Sequence, residues 1–236
     1  MALLQPITRS LSQLSLGGVN VFVIKDNGLT LIDTGYRNSL ESIFRALKRS
    51  GENPNHIKRV LLSHAHPDHA GSAAALKRRL GVPVFTHQIE AALLEAGISG
   101  QSPIYRSPGI ANWLIYQLLI KRGDNSVDSL VADEHLAHGD ILPIAGGLQV
   151  LHTPGHSAGH LAFWLKAEGV MLMGDTCANL MGLAFSTVYE DRTLGLQSLL
   201  ALADLSFEQA VFGHGRAIRK GASQKLKAYF RPLITP

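Results

Sequence analysis

Apolar runs bounded by turn residues dominate this chain. Residues 19–24 (Val-Asn-Val-Phe-Val-Ile) and 29–32 (Leu-Thr-Leu-Ile) read as two strands joined at Asp26-Asn27-Gly28, a hairpin turn signal. A helix follows: Asn38 can cap it, Leu40, Ile43, Phe44 and Leu47 recur at helical spacing, and Gly51 can end it. The pattern then predicts a buried strand over 57–62, a helix over 71–80, a strand over 82–85 and a helix over 88–96. From 97 to about 139 the alternation breaks down, and this stretch reads as an insertion. Within it Ile110, Trp113, Leu114, Gln117, Leu118 and Lys121 keep helical spacing. Strands resume over 148–151, 160–165 and 170–173, followed by a helix near 194–205 and a short strand over 210–212. Two strand-rich halves, each ending in helices, predict an α/β architecture of two sheets packed together with helices outside.

The chain has 236 residues, of which 46% are hydrophobic. That suffices for one domain over 1–236, with the insertion at about 97–139. Met1-Ala2-Leu3-Leu4-Gln5-Pro6 lacks the basic start and apolar run of a signal peptide, and no apolar stretch approaches the roughly 20 residues that span a bilayer. A soluble, cytoplasmic protein with no membrane partner is expected. The single cysteine, Cys177, excludes an intrachain disulfide and reads as a small buried hydrophobe.

The formal charge of +4 arises from 22 basic and 18 acidic residues. The excess gathers after Glu208, where Arg216, Arg219, Lys220, Lys225, Lys227 and Arg231 follow with no further acid. This tail reads either as a solvated helix face or as an attractant for an anionic substrate, and no interleaved aromatic residues support nucleic acid.

Candidate chemistry concentrates in Ser63-His64-Ala65-His66-Pro67-Asp68-His69, a His-x-His-x-Asp-His run between a predicted strand and a predicted helix. Three imidazoles and a carboxylate so close together need polar partners, and a metal satisfies several at once. Three later segments add His156 in Thr153-Pro154-Gly155-His156-Ser157, Asp175 in Gly174-Asp175-Thr176 and His214 in Gly213-His214-Gly215. Each follows a predicted strand and adjoins glycine, which allows loops to turn sharply and converge. Imidazoles and carboxylates together suit borderline divalent metals: zinc foremost, with iron and manganese open. Of the other histidines, His56 reads as solvated and His135 and His138 as part of the insertion. His87, His152 and His160, near strand ends, read as packing or as hydrogen-bonding supports.

With these segments the chain resembles the metallo-β-lactamase-fold hydrolase superfamily over nearly its whole length. Leu31-Ile32-Asp33-Thr34-Gly35 matches as well. The resemblance implies a four-layer αβ/βα sandwich of two mixed sheets with the metals at one edge. It implies that His64, His66 and His156 hold one metal, that Asp68, His69 and His214 hold a second, that Asp175 bridges them, and that Asp33 supports the metal loop from behind. The implied activity is a binuclear, metal-dependent hydrolase that attacks an ester, thioester or lactone carbonyl of a small acyl substrate with a hydroxide shared between the ions. Asp68 would also orient that hydroxide or carry its proton to the leaving group.

The motifs are closest to the glyoxalase II-like branch, although only 22 residues follow His214 where glutathione-specific members carry a C-terminal helical region. Acyl-homoserine-type lactonases share the ligand set but carry a tyrosine three residues after the bridging aspartate. Ala178 stands there, and Tyr189 is the candidate to replace it in space. Persulfide dioxygenases, which hold one iron on two His and one Asp, are a further alternative. For substrate contacts the candidates are Tyr105, Trp113 and Tyr116 of the insertion, together with Tyr189 and Arg216. The insertion is expected either to overhang the metals or to form a homodimer contact.

Overall fold

Along the strand Asn20–Lys25, Val21 and Val23 turn to one face while Phe22 and Ile24 turn to the other, and all four are buried. Both faces of this sheet are therefore covered, which is why its strands read as continuous apolar runs rather than as alternating ones. The same split recurs in the second half. Leu161, Phe163 and Leu165 face one way, and Ala162 and Trp164 the other. In the computed structural model, which describes residues 3–100, 104–121 and 126–234, this periodicity divides the apolar side chains into three cores.

The first sheet has seven strands in the order Gln5–Pro6, Leu11–Ser15, Asn20–Lys25, Leu29–Ile32, Ile57–Leu61, Val84–Thr86 and Glu134–His135. It is antiparallel up to Leu29–Ile32 and parallel beyond. The second has five, in the order Gln209–Val211, Val170–Leu172, Leu161–Leu165, Leu148–His152 and Ile141–Leu142, with one parallel pair at Gln209–Val211. Phe22, Ile24, Ile32, Leu61 and Phe85 from the first sheet meet Val150, Phe163, Leu165, Leu172 and Val211 from the second in the middle core.

Outside the first sheet pack helices α1 (Leu40–Arg49), α2 (Ala73–Leu80) and α3 (Gln88–Ala96), through side chains such as Ile43, Leu47, Leu76, Leu93 and Leu94. A fourth helix, α4 (Ile110–Ile115), continues as a π-helical stretch, Tyr116–Ile120. Outside the second sheet lie α5 (Arg192–Asp204) and α6 (Ala222–Ile234), which bury Leu199, Leu202, Leu226 and Phe230. The result is the four-layer αβ/βα sandwich. Each fully buried large side chain contributes about 1.5–3 kcal/mol to holding its layers together.

Some local readings need revision. Helix α1 starts after Ser39, not Asn38, and no side chain caps it. The Ser39 N–H turns instead to Tyr36 O at 2.9 Å and to the Ser72 hydroxyl at 3.0 Å, so a distant loop does the work of a local cap. The stretch 97–139 also divides. Residues 101–103 and 122–125 lie outside the described residues, but Val127 and Leu130 join the outer core of the first sheet and Glu134–His135 forms its edge strand. His135 thus belongs to the sheet. Of the basic tail, Lys225, Lys227 and Arg231 lie on α6, where Lys227 and Arg231 reach Asp204 at 2.9 and 2.7 Å while Leu226 and Phe230 face inward. No helix among the described residues is long and apolar enough to cross a membrane.

Candidate metal centre

The strand Ile57–Leu61 ends in a tight loop in which the N–H groups of His69 and Ala70 return to His66 O at 2.9 and 2.8 Å. This places His64, His66, Asp68 and His69 along one rim of the first sheet. The later three candidates leave the second sheet, each just past a strand: His156 after Leu148–His152, Asp175 after Val170–Leu172 and His214 after Gln209–Val211. All seven side chains converge. Their donor atoms form three overlapping groups, His64/His66/His156, His64/His69/Asp175 and Asp68/His69/His214, with the atoms of each group within 4.8 Å of one another.

His156 Nε2 lies 3.2 Å from His64 Nε2 and 3.0 Å from His66 Nδ1. His214 Nε2 lies 3.4 Å from His69 Nε2, 3.3 Å from Asp68 Oδ2 and 3.1 Å from Asp175 Oδ2. Asp175 sits between the two sides, with Oδ2 3.6 Å from His156 Nε2 and Oδ1 3.5 Å from His69 Nε2.

What stands behind each ring decides which nitrogen faces the centre. His156 Nδ1 meets Val188 O at 2.8 Å and His214 Nδ1 meets Gly18 O at 2.7 Å; since a carbonyl only accepts, these nitrogens carry the proton. His69 Nδ1 donates to Asp33 Oδ2 at 2.9 Å. His64 Nδ1 meets the Ser63 hydroxyl at 2.9 Å, and that hydroxyl in turn reaches Asp33 at 2.8 Å. Asp33 therefore stands behind two of the rings, and it does so from a left-handed backbone conformation, φ 61°. The Nε2 atoms that remain turn toward one another, and those of His64 and His156, whose rings stay neutral, are bare acceptors. Asp175 Oδ1 is buried with no hydrogen-bond partner. Acceptors packed this closely fit a divalent cation, which satisfies them together.

The electrostatics divide the cluster. Burial, with His69 and His66 beside it, holds His64 well below the ordinary histidine value. Burial and then His156 bring His66 down to about 3, and burial brings His156 to about 4 against the pull of Asp175. On the other side burial also acts downward on His69, but Asp175, Asp68 and Asp33 outweigh it and raise this imidazole to about 10. His214 is raised well above its ordinary value in the same way, burial being overcome by Asp175 and Asp68. Asp68 and Asp175 are held ionised: burial would raise both, and the facing His69 and His214 more than reverse it.

Further side chains support the centre; His160 is the hydrogen-bonding support expected from the sequence, and the others lie beyond that expectation. Asn20 clamps the His214 loop, its side-chain amide donating to Phe212 O at 2.9 Å and Gly215 O at 2.8 Å. His160 accepts the Asp175 N–H at 2.9 Å, and a Cβ on Gly174 would come 2.5 Å from that imidazole nitrogen, so glycine (φ 52°) is required there. Glu90 of α3 bonds both the His64–His66 loop and the loop after His156. Its signal in the sequence is a charge in the same helical stripe as Leu93 and Leu94. Tyr36 follows Gly35 on the Asp33 loop. It is half-exposed, and its hydroxyl lies 3.7 Å from where a Cβ on Gly18 would sit, near the carbonyl that holds His214.

The substrate candidates fare differently. Tyr189 is fully buried; its hydroxyl donates to Thr176 O at 2.8 Å and accepts from Ser186 N at 3.1 Å. It therefore cannot offer that hydroxyl to a substrate, and the replacement for a lactonase tyrosine falls. Arg216 is exposed along a cleft of ≈ 550 Å³ shared with Gly18, Asn20 and Gly215, beside His214. Tyr105 is exposed on a short strand, Tyr105–Arg106, that pairs with Val188–Tyr189. Trp113 of α4 is exposed and Tyr116 half-buried. Cys177 is fully buried, and burial pushes its thiol well up.

The model of the metallo-beta-lactamase superfamily matches residues 14–214. The chain belongs to this superfamily. It is 31% identical over 158 residues to a probable metallo-hydrolase of Bacillus subtilis (strain 168), covering 66% of this chain and 61% of that protein. It is 26% identical over 177 residues to a hydroxyacylglutathione hydrolase of Chelativorans sp. (strain BNC1), covering 74% of this chain but only 53% of the relative. Among solved structures, a metallo-beta-lactamase family protein from Thermus thermophilus superposes with a TM-score of 0.68 at 27% identity, over 91% of this chain and 74% of that one. A subclass B3 metallo-beta-lactamase of Bradyrhizobium japonicum superposes with a TM-score of 0.72 at 20% identity, over 98% and 90%, and shows the common fold.

Proposed function

We propose that this protein is a binuclear metal-dependent hydrolase acting on an ester, thioester or lactone carbonyl, with zinc as the favoured metal. The observation that carries the reading is the convergence of five imidazoles and two carboxylates, with inward ring nitrogens at 3.0–3.4 Å and Asp175 Oδ1 buried without a hydrogen-bond partner. His64, His66 and His156 would hold one ion, Asp68, His69 and His214 the other, and Asp175 both. Bound there, two divalent ions supply an acidified water and a polarised carbonyl oxygen. Among the carboxylates of the cluster Asp68 is the more exposed, its side chain 27% accessible against 6% for Asp175. Partly exposed and held ionised by His69 and His214, it is the carboxylate placed to orient an attacking water or to relay its proton to a leaving group.

Similarity to hydroxyacylglutathione hydrolases supports a thioester before a lactone, and burial of Tyr189 removes one support for the lactonase alternative. The test is metal analysis of zinc-loaded protein followed by assay on thioesters, lactones, phosphodiesters and a persulfide. Two zinc ions per chain with turnover of an acyl substrate is the expected result. One tightly held iron with oxygen consumption on the persulfide would replace this reading with that of a dioxygenase.

A further inference from the structure

Glu90 lies on the inner face of α3 and is fully enclosed. Its Oε2 accepts the Ala65 N–H at 2.8 Å, and its Oε1 accepts both the Ser157 hydroxyl at 2.6 Å and the Gly159 N–H at 2.9 Å. Ala65 lies between His64 and His66, whereas Ser157 and Gly159 follow His156 directly. The approach is close: a Cβ on Gly159 would come within 2.8 Å of Glu90 Cγ, which glycine avoids. A buried carboxylate is costly unless its lone pairs are used, and here every one of the three bonds goes to a loop of the metal centre rather than to the helix or the core.

We propose that Glu90 is a positioning residue that sets the spacing of His64, His66 and His156, by joining through one carboxylate the loop that leaves the first sheet to the loop that leaves the second. The consequence for metal binding rests on the binuclear reading above; the coupling of the two loops does not. Glu190 grips the loop after His156 as well, accepting the Ala158 N–H at 2.8 Å, whereas Glu90 holds that loop and Ala65 with the same carboxylate.

The informative substitution is Glu90→Gln. A carboxamide has one accepting oxygen and one donating nitrogen. In either orientation its NH₂ must face a backbone N–H, that of Ala65 or that of Gly159, so one loop is released at almost unchanged side-chain volume. Metal-free parent and variant would be titrated with Co²⁺, following its visible absorption, and compared by amide hydrogen exchange. We expect the parent to take up two ions. In the variant one ion should bind at the parental affinity and the other about 10- to 100-fold more weakly. Exchange should quicken in whichever of residues 64–66 and 157–160 the carboxamide releases.

A purely structural role would weaken both ions alike or change neither. Two ions bound at parental affinity with unchanged exchange in both loops would overturn the proposal. Should the parent bind no cobalt, the hydrolase reading fails while the exchange comparison still decides the role of Glu90. If Glu90→Gln does not fold, Ser157→Ala removes one of the three bonds and should shift binding and exchange in the same direction by a smaller amount. No shift there would count against the proposal equally.

Discussion

Asp33 Oδ2 lies 2.9 Å from His69 Nδ1, while the same carboxylate takes the Ser63 N–H at 2.8 Å and the Ser63 hydroxyl. One side chain thus fixes the tautomer of His69 directly and that of His64 through Ser63. Asp33→Asn tests this without straining the backbone, because asparagine tolerates φ 61°. With Oδ1 kept on the Ser63 N–H, the new NH₂ faces the His69 N–H, and the ring can accept only by moving its proton to the nitrogen that faces the cluster. Zinc affinity measured by equilibrium dialysis should fall about 10- to 100-fold, and the metal-free protein should lose about 1–3 kcal/mol of stability to the two buried donors left facing each other. Parental affinity would show that Asp33 is a packing residue.

Metal should act as a structural ligand as well. Zinc at 100 times its Kd would stabilise the fold by about 2.7 kcal/mol, or about 5–10 °C in Tm at roughly 2–4 °C per kcal/mol for a chain of this size. Calorimetry with zinc and then with a chelator should show the rise and its reversal. A Tm indifferent to both would count against seven converging ligands.

Gly213 has an ordinary backbone conformation, yet a Cβ there would overlap Asp175 Oδ1 and come within 2.7 Å of His69 Cε1. Gly213→Ala should therefore displace Asp175, the residue between the two sides. Elemental analysis should find at least one ion lost per chain, with a circular dichroism spectrum like the parent's. An unchanged metal content would mean the loop has slack that the structure does not suggest.

Away from the centre, Asp133 receives Lys77 Nζ at 2.7 Å and the Val84 N–H at 2.8 Å, tying α2 and the sheet to the segment that leads into the edge strand Glu134–His135. Despite the opposing effect of burial, these bonds hold its carboxyl below 3.8, the ordinary value. A depressed value means stabilisation that is complete above the unfolded-state value and is lost as pH falls through the folded one. The pair is largely solvated, so Asp133→Asn should cost under about 1 kcal/mol at neutral pH. Urea unfolding at a series of pH values should show that gap narrowing below pH 3.8. A gap that widens on acidification would assign the effect to another group.

The layers are legible in the sequence because a strand covered on both faces must be apolar at nearly every position, as in residues 20–24 and 161–165. The seven converging side chains are legible because each stands next to glycine or in one dense motif at a strand end. What the sequence hides depends on tertiary partners. Glu90 and Asn20 look like a helix polar residue and a strand polar residue until the loops that they clamp are in place. Residues 127–135 are too short and too mixed in polarity to announce an edge strand. Tyr189 looks available because it is polar and close in sequence, but its hydroxyl is consumed by Thr176 and Ser186.

His66 Nδ1 and His156 Nε2 stand 3.0 Å apart although one leaves the first sheet and the other the second. A spacing that small between two separately hydrogen-bonded sheets makes the cluster a gauge of their alignment. Phe22 and Phe163 in the layer between the sheets then govern more than stability. Buried in a close-packed interior, they set the mechanical tolerance of the cluster at the rim. A shear of a fraction of an ångström, too small to unfold anything, would be felt first as a misfit among the imidazoles.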